Sequence, residues 1–504
     1  MELYRTSRLS RSLLLIDNRG RHVPALTIFS MVIWYLKGLV YETIHLSKVD
    51  VYNKLALCSG ENDTRSESGL MKGHIQWMLS IPAIWPDEAR QFMRVAANYA
   101  EIDEKHLRLV LEPEAASLYC REQHVQITRH LTVECLSKGQ KYILADIGGG
   151  TTDICVHEIL EKGKLRELYR ATGGDLGGTR VDDEFKKFLI KLVGGPVLTQ
   201  FQEKHMSKFL KLMRSFQDEK GKFSSSTDIV HIALEYALIQ LFEVTGVKLE
   251  KILPNTPFAE LVEYEPAELD LILKAELMKR FFESTVDGII EKLKAIIQDC
   301  PEDKIDILLL VGGFSESQYV RERIRNEMKP LKVILQQDAR LAVLKRAVMM
   351  GYKPRSVIQR RARYTYGVSQ AKSFIDGEHP ECFKFVHDGK LMCSNLFRKA
   401  VECGEILEYG HTVKLPYDTT CKDITKKHNN RITTLYRSTR KNPKYCTQEE
   451  NCTEIGNIME QPPSEGWPDI MKKCIILVAG ETEFLAANVN RTTGQTRFTE
   501  IDFL

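Results

Sequence analysis

The most chemically specific stretch of this chain sets two carboxylates around a run of glycines and hydroxyls: Ala145-Asp146-Ile147-Gly148-Gly149-Gly150-Thr151-Thr152-Asp153-Ile154. Without a Cβ, the glycines let backbone N–H groups approach an anion closely. The hydroxyls of Thr151 and Thr152 can donate to phosphate oxygens. Asp146 and Asp153 stand where a hydrated Mg²⁺ could be held, because that ion prefers carboxylate oxygens and keeps several of its waters. Taken alone, the same residues also suit an ordinary glycine-rich hairpin. Two further glycine turns favour the phosphate reading. One is Thr172-Gly173-Gly174-Asp175-Leu176-Gly177-Gly178-Thr179. The other, Gly312-Gly313-Phe314-Ser315, follows the apolar run 305–311 and precedes a helical pattern at 318–327. A strand, a glycine turn and a helix N-terminus in that order favour phosphate and nucleotide.

These turns need strands and helices to hold them. Apolar runs on either side of Gly148–Thr151 predict two strands joined by a tight turn. A strand over 75–81 ends at Pro82, and Asp87 and Glu88 suit the first turn of a helix running to about Ala100. Leu107–Leu111 reads as a strand, after which Glu112-Pro113-Glu114 opens a helix. Helical patterns are expected over 181–193, 199–222 and 264–299, with a strand at 229–233, and a last one opens at Asp338-Ala339-Arg340 and ends near Gly351. From about Tyr364 short strand-like pieces alternate with polar loops, and the stretch 421–467 reads as loop-heavy. The expected division is therefore 1–363, an α/β nucleotide-binding domain, and 364–504, a β-rich C-terminal domain.

Composition excludes little but narrows the class. The chain has 504 residues, 43% hydrophobic and 28% charged, with a net charge of +3, so bulk electrostatics give no reason to expect nucleic acid. Its twelve cysteines are scattered without CxxC spacing, which suits reduced thiols and a cytoplasmic setting. The most apolar segment, Leu26 to Val40, contains Lys37. It falls short of the roughly 20 apolar residues a membrane span needs, so a buried helix and no membrane association are expected.

Together the glycine turns resemble the ATPase domain of the actin, sugar-kinase and heat-shock 70 kDa superfamily, a two-lobed, ribonuclease H-like fold. Asp146–Asp153 is similar to its second phosphate loop, Gly177-Gly178 to a Leu-Gly-Gly stretch, and Leu309–Ser315 to its adenosine motif. Glu112-Pro113-Glu114-Ala115-Ala116 resembles the connecting motif whose glutamate orients the attacking water, and Asp338–Ala342 resembles the segment near the ribose. Glu219 and Lys222 resemble the adenine-contacting pair, although Phe223 stands where an arginine is usual. Ile81–Trp85, Gln91–Arg94, Leu111–Cys120, Thr365–Val368 and Glu500–Leu504 resemble the divergent heat-shock 70 kDa protein 12 branch.

Two departures accompany the resemblance. The superfamily opens with a strand–turn–strand of the form Asp-x-Gly-Thr-Thr, and nothing before Ile75 fits it. Leu13–Gly20 has the apolar run and an aspartate but no such turn. The expectation is an N-terminally incomplete domain lacking its first phosphate hairpin, a splice form, or a member that has lost the motif. Nor does the end of the chain show a helical lid or an acidic tail.

The resemblance implies that ATP or ADP is held through Gly148, Gly149, Gly150, Thr151, Thr152, Gly177, Gly178, Glu219, Lys222, Gly312, Gly313 and Asp338. Asp146 and Asp153 would hold Mg²⁺, and Glu112 and Asp146 would be catalytic. The expected function is an ATP-binding, chaperone-type protein of the stress response, with weak or absent hydrolysis and protein clients or signalling partners. The alternative is a nucleotide-independent interaction scaffold on a degenerate ATPase fold. A small-molecule kinase of the sugar-kinase type is disfavoured by branch matches that continue into the C-terminal domain.

Overall fold

The computed structural model describes residues 9–17, 20–46, 75–122, 137–244, 246–300, 303–335, 339–352, 357–480 and 484–499. They form two compact units. The first comprises Met1–Trp85, Phe92–His157 and Ala171–Pro354, and the second Pro86–Gln91, Glu158–Arg170 and Arg355–Leu504.

In the first unit a short hairpin, β1 (Leu14–Ile16) and β2 (His22–Pro24), leads into helix α1 (Ala25–Leu46). Strand β3 (Trp77–Ile81), helix α2 (Asp87–Tyr99, whose first turn belongs to the second unit), strand β4 (Leu107–Leu111) and helix α3 (Glu112–Glu122) follow, with β3 and β4 paired in parallel. The central strands are β5 (Lys141–Ile147), β6 (Thr152–Ile159) and β7 (Leu165–Gly174), of which the stretch Glu158–Arg170 belongs to the second unit. Helices α4 (Gly178–Val193), α5 (Gly195–Lys204) and α6 (Met206–Lys222) come next, then β8 (Ile229–Ala233) and the short helices α7 (Tyr236–Glu243) and α8 (Leu249–Ile252). Strands β9 (Val262–Glu265) and β10 (Asp270–Lys274) precede α9 (Ala275–Asp299), β11 (Ile305–Val311), α10 (Gln318–Glu327), β12 (Lys332–Leu335) and α11 (Ala339–Tyr352).

The strand order of this unit's main sheet is β12-β11-β5-β6, followed by the end of β7. β11 runs parallel to β5 with Leu310 opposite Ala145 and Val311 opposite Asp146, so the turn after β11 must emerge beside the turn after β5. Near-continuous apolar runs make both strands: Ile143, Leu144, Ala145, Leu308 and Leu310 are fully buried, as strands covered on both faces require.

Two sequence expectations fail here. The region 264–299 is helical only from Ala275, because β10 alternates, burying Leu271 and Leu273 and pairing with both β8 and β9. The period is two, not 3.6. Helix α1 is not a buried helix. Ile33 packs on a cluster of Ala97, Ile102 and Leu107, and Phe29 meets Phe92 edge-on. Met31, Val32, Trp34, Tyr35 and Leu36 are more than half exposed. Among the described residues, Ala25–Thr43 is one helix long and apolar enough to cross a membrane by length and composition.

The second unit is β-rich. β13 (Val357–Arg361) pairs in parallel with the start of β7 and antiparallel with β17 (Ile406–Glu408). Two antiparallel sheets then enclose a core. One has the order β15 (Lys384–His387), β16 (Lys390–Val401), β14 (Thr365–Ser373), β19 (Arg431–Ser438), β20 (Cys452–Glu460). The other runs β18 (Thr412–Thr420), β21 (Ile470–Ala479), β22 (Phe484–Asn490), β23 (Thr496–Thr499). Val368, Leu435 and Ile458 from the first sheet pack with Leu415, Leu477 and Ala486 from the second, the inward alternation of a sandwich. The stretch 421–467 is less loop-like than its polarity suggests, since β19 and β20 both lie in it, paired from Arg431↔Glu460 to Ser438↔Cys452.

Candidate functional site

The site is built from three turns in the first unit. After β5 the chain reverses tightly, with the Gly148 N–H donating to the Thr151 carbonyl at 2.9 Å. The turn before α4 docks onto it, because the Gly178 and Thr179 N–H groups donate to the carbonyls of Gly148 and Gly149 at 3.1 and 2.8 Å. The approach demands glycine at position 177, where a Cβ would fall 2.3 Å from the Gly149 carbonyl oxygen. Gly149 itself is exposed and open on its Cβ side. Among the described residues the amides of Gly149 and Gly150 donate to no other group, which leaves them for an anion. Thr151 is nearly buried, and Thr152 is fully buried with its hydroxyl given to the Leu176 carbonyl at 2.8 Å. Thr152 therefore clamps the second turn to the first.

The third turn follows β11. Gly312 has φ +86°, and Ser315 donates its hydroxyl to the Gly312 carbonyl at 2.6 Å. A Cβ on Gly312 would lie 2.4 Å from Asp146 Oδ1, so the turn touches the carboxylate at the end of β5. Behind Gly313, Phe314 stacks on Phe282, and Phe223 stacks on the other side of that cluster. Phe223 is a core residue here, 1% exposed.

Three carboxyl groups interact at this level. Burial pushes the Asp146 carboxyl up to about 7, with the Asp153 charge adding to it. Burial also pushes Glu112, the first residue of α3, up to about 8, and the Asp146 and Asp153 charges reinforce the shift. Asp153 is 1% exposed and accepts the Ile84 N–H at 2.8 Å on Oδ1. Among the described residues no group of three or more His, Cys, Asp and Glu is arranged to grip a metal ion directly. The oxygen donors suit a Mg²⁺ that keeps most of its water and takes one or two carboxylates. The carboxylates, the free amides and the open Cβ side of Gly149 fit a nucleotide polyphosphate with its magnesium.

Other expected residues are placed differently. Glu219 and Lys222 bond to one another at 2.6 Å on the surface of α6. Lys220 instead turns to the site: its ammonium donates to the Gly178 carbonyl at 2.9 Å and to Asp182 at 2.6 Å, where Gln217 also donates. The signal for Lys220 was in the sequence. Phe209, Leu212 and Phe216 mark the buried face of α6, and a residue four after Phe216 lies on that face, whereas 222 points away from it. Asp338 lies outside the described residues.

A family model described as Hsp70 protein matches residues 63–351. The chain belongs to the Hsp70 family. Heat shock 70 kDa protein 12A of Mus musculus is 28% identical across the whole chain and 79% of its own length. Heat shock 70 kDa protein 12B of Homo sapiens is 26% identical over 83% of the chain and 66% of its own length. Chaperone protein DnaK of Thermoplasma volcanium is 26% identical over 49% of the chain. The chain is thus a member of the family's 12 branch, an Hsp70-like protein with an actin-like ATP-binding domain. The three glycine turns of the site all fall within the residues matched by the family model.

Proposed function

We propose that this protein is a chaperone-type, nucleotide-regulated member of its branch that binds Mg·ATP and Mg·ADP and hydrolyses ATP weakly or not at all. The observation that carries the reading is the meeting of three glycine turns, Gly177-Gly178 docked on Gly148 and Gly149 and Gly312 set against Asp146. The amides of Gly149 and Gly150 would hold phosphate oxygens, and Asp146, with Asp153 in support, would hold the hydrated magnesium. The metal supplies charge neutralisation at the phosphates when bound. Glu112, deprotonated once a cation offsets its acidic neighbours, would orient a water. Phosphoryl transfer depends almost wholly on such placement and electrostatics. Protein clients or signalling partners in the cytoplasm belong to the same reading.

A scaffold that works without nucleotide is the second reading. It is favoured by the neutralising shifts of Glu112 and Asp146, which make the cation site costly to charge. Calorimetric titration of the purified chain with Mg·ATP and Mg·ADP, with Asp146→Ala alongside, separates the two. Binding that the substitution abolishes supports the nucleotide-regulated protein. A folded chain that binds neither nucleotide leaves the scaffold.

A further inference from the structure

The interior of the β-sandwich changes character along its length. On β21 the inward residues run Leu477, Ile475, Lys473, and on β19 they run Leu435, Thr433, Arg431. On β20 Ile458 gives way to Glu460, and on β22 Ala486 gives way to Asn488. Four strands from both sheets therefore turn polar at the same level, beyond which Met471 packs with Trp467 and Cys421. Lys473 and Glu460, each with a 2% exposed side chain, join the two sheets at 2.7 Å, and Asn488 donates to Glu460 at 3.0 Å and to the Tyr417 hydroxyl at 2.8 Å. Burial holds the Lys473 ammonium below the ordinary lysine range, with Glu460 opposing the shift. A buried ion pair stabilises little compared with well-packed apolar residues of the same volume. A polar layer built by four strands at once is the kind of local departure expected at a functional site.

A cavity of about 710 Å³ opens at this level, with Gln370, Arg398, Tyr417, Thr419, Arg431 and Lys473 in its wall. That volume lies within the roughly 300–1,000 Å³ typical of small-ligand sites. Its charges do not cancel. Lys473 is met by Glu460. Asp388 takes the Thr420 hydroxyl and lies beside His387 and Lys422. Among the described residues the Arg431 guanidinium donates only to neutral oxygens, Thr419 Oγ1 at 2.9 Å and the Thr420 carbonyl at 3.0 Å. The side chains of Arg398 and Lys390, also in the wall, make no hydrogen bond or ion pair among the described residues. Against these three cations the wall sets one further carboxylate, the exposed Asp418.

We propose that this level of the sandwich binds a small organic anion bearing two or more carboxylate or phosphate groups, with Arg398 and Arg431 as its guanidinium ligands and Lys390 adding charge at the wall. Guanidinium forks match both kinds of anion bidentately. The indole of Trp467 lies 5.8 Å from Arg431 and 4.8 Å from Lys473, which fixes the cationic floor against a rigid, buried ring. The proposal stands apart from the nucleotide reading, since every residue it uses lies in the second unit.

The test is calorimetric titration of the full chain at physiological ionic strength with citrate, with inositol hexakisphosphate and with a hexaglutamate peptide. Titrations of Arg398→Gln and Arg431→Gln follow, each checked for an unchanged melting temperature. Citrate or the hexakisphosphate should bind with Kd below about 1 mM, and Arg398→Gln should weaken that binding at least about tenfold. Which of the two binds more tightly distinguishes a carboxylate from a phosphate ligand. Because the Arg398 side chain makes no hydrogen bond or ion pair among the described residues, its variant keeps the test decisive even if Arg431→Gln unfolds. The proposal is overturned if neither small anion binds, if binding survives both substitutions, or if the peptide alone binds through Arg398.

Discussion

Gly312 and Asp146 touch: a Cβ on the glycine would stand 2.4 Å from the carboxylate and 2.6 Å from the Ile147 carbonyl oxygen. The contact follows from register, because Val311 pairs with Asp146 across the parallel strands. Gly312 also holds φ +86°, which an L side chain adopts only with strain. Gly312→Ala should therefore cost roughly 2–4 kcal/mol, combining overpacking with backbone strain, and should abolish Mg·ADP binding by displacing Asp146. Urea denaturation and calorimetry check the two effects. A variant as stable as the parent with intact affinity would show that the turn can move away from Asp146.

Glu112 gives the nucleotide-free protein a pH dependence of definite sign. Its carboxyl titrates near 8 in the folded chain, against an ordinary value of 4.5. Between those values the folded state binds more protons than the unfolded state. Stability therefore falls as pH rises through that window and levels off above it. Glu112→Gln removes the cost of charging. Its melting temperature should exceed the parent's by several degrees at about pH 9 and match it at about pH 4, the difference growing through the window. A pH-independent difference would mean that burial does not hold Glu112 neutral.

What the sequence showed of this site, and what it hid, has a physical pattern. Asp146, Gly149 and Gly312 were legible because each sits at the end of an apolar strand, where residue type alone restricts the turn. The docking of Gly177 on Gly149 was not legible, since it depends on two turns meeting in space. Thr152 shows the same limit: its hydroxyl looks available in sequence and is spent on Leu176 in the fold. The exposed side of α1 was missed because an apolar run reads as buried whether one face or all of it is covered. Strand β16, the longest described strand of the second unit, was hidden by its charged residues, since Lys390, Arg398 and Lys399 break the alternation that marks a half-buried strand.

Lys220 and Lys222, two residues apart, should behave oppositely. Lys220 is largely buried, with its charge shared between Asp182 and the Gly178 carbonyl. Lys220→Met leaves a buried aspartate with only Gln217, so it should lower stability by about 3 kcal/mol and weaken Mg·ADP binding by loosening the Gly177-Gly178 turn. Lys222 faces water and pairs with Glu219, and Lys222→Met should change neither. Equal losses of affinity in both variants would restore Glu219 and Lys222 as nucleotide contacts.

The second unit holds its own first-turn segment of α2 by charge. Arg437 reaches Asp87 at 3.2 Å and Glu88 at 2.5 Å, with all three side chains less than a fifth exposed, and its guanidinium lies 4.6 Å from the centre of the Tyr364 ring. Arg437→Met strands two carboxylates, and loss of one partner from a buried pair typically costs about 3–5 kcal/mol. The lower end applies, because Asp87 keeps Arg90 at 3.8 Å and the Tyr366 hydroxyl at 3.4 Å. The melting transition of the β-rich unit should fall accordingly. Adding Asp87→Asn and Glu88→Gln to Arg437→Met should recover part of the loss, since the cost lies in the uncompensated charges and not in the missing contact. If the triple variant is no more stable than the single one, packing on Tyr364 and not charge holds this segment.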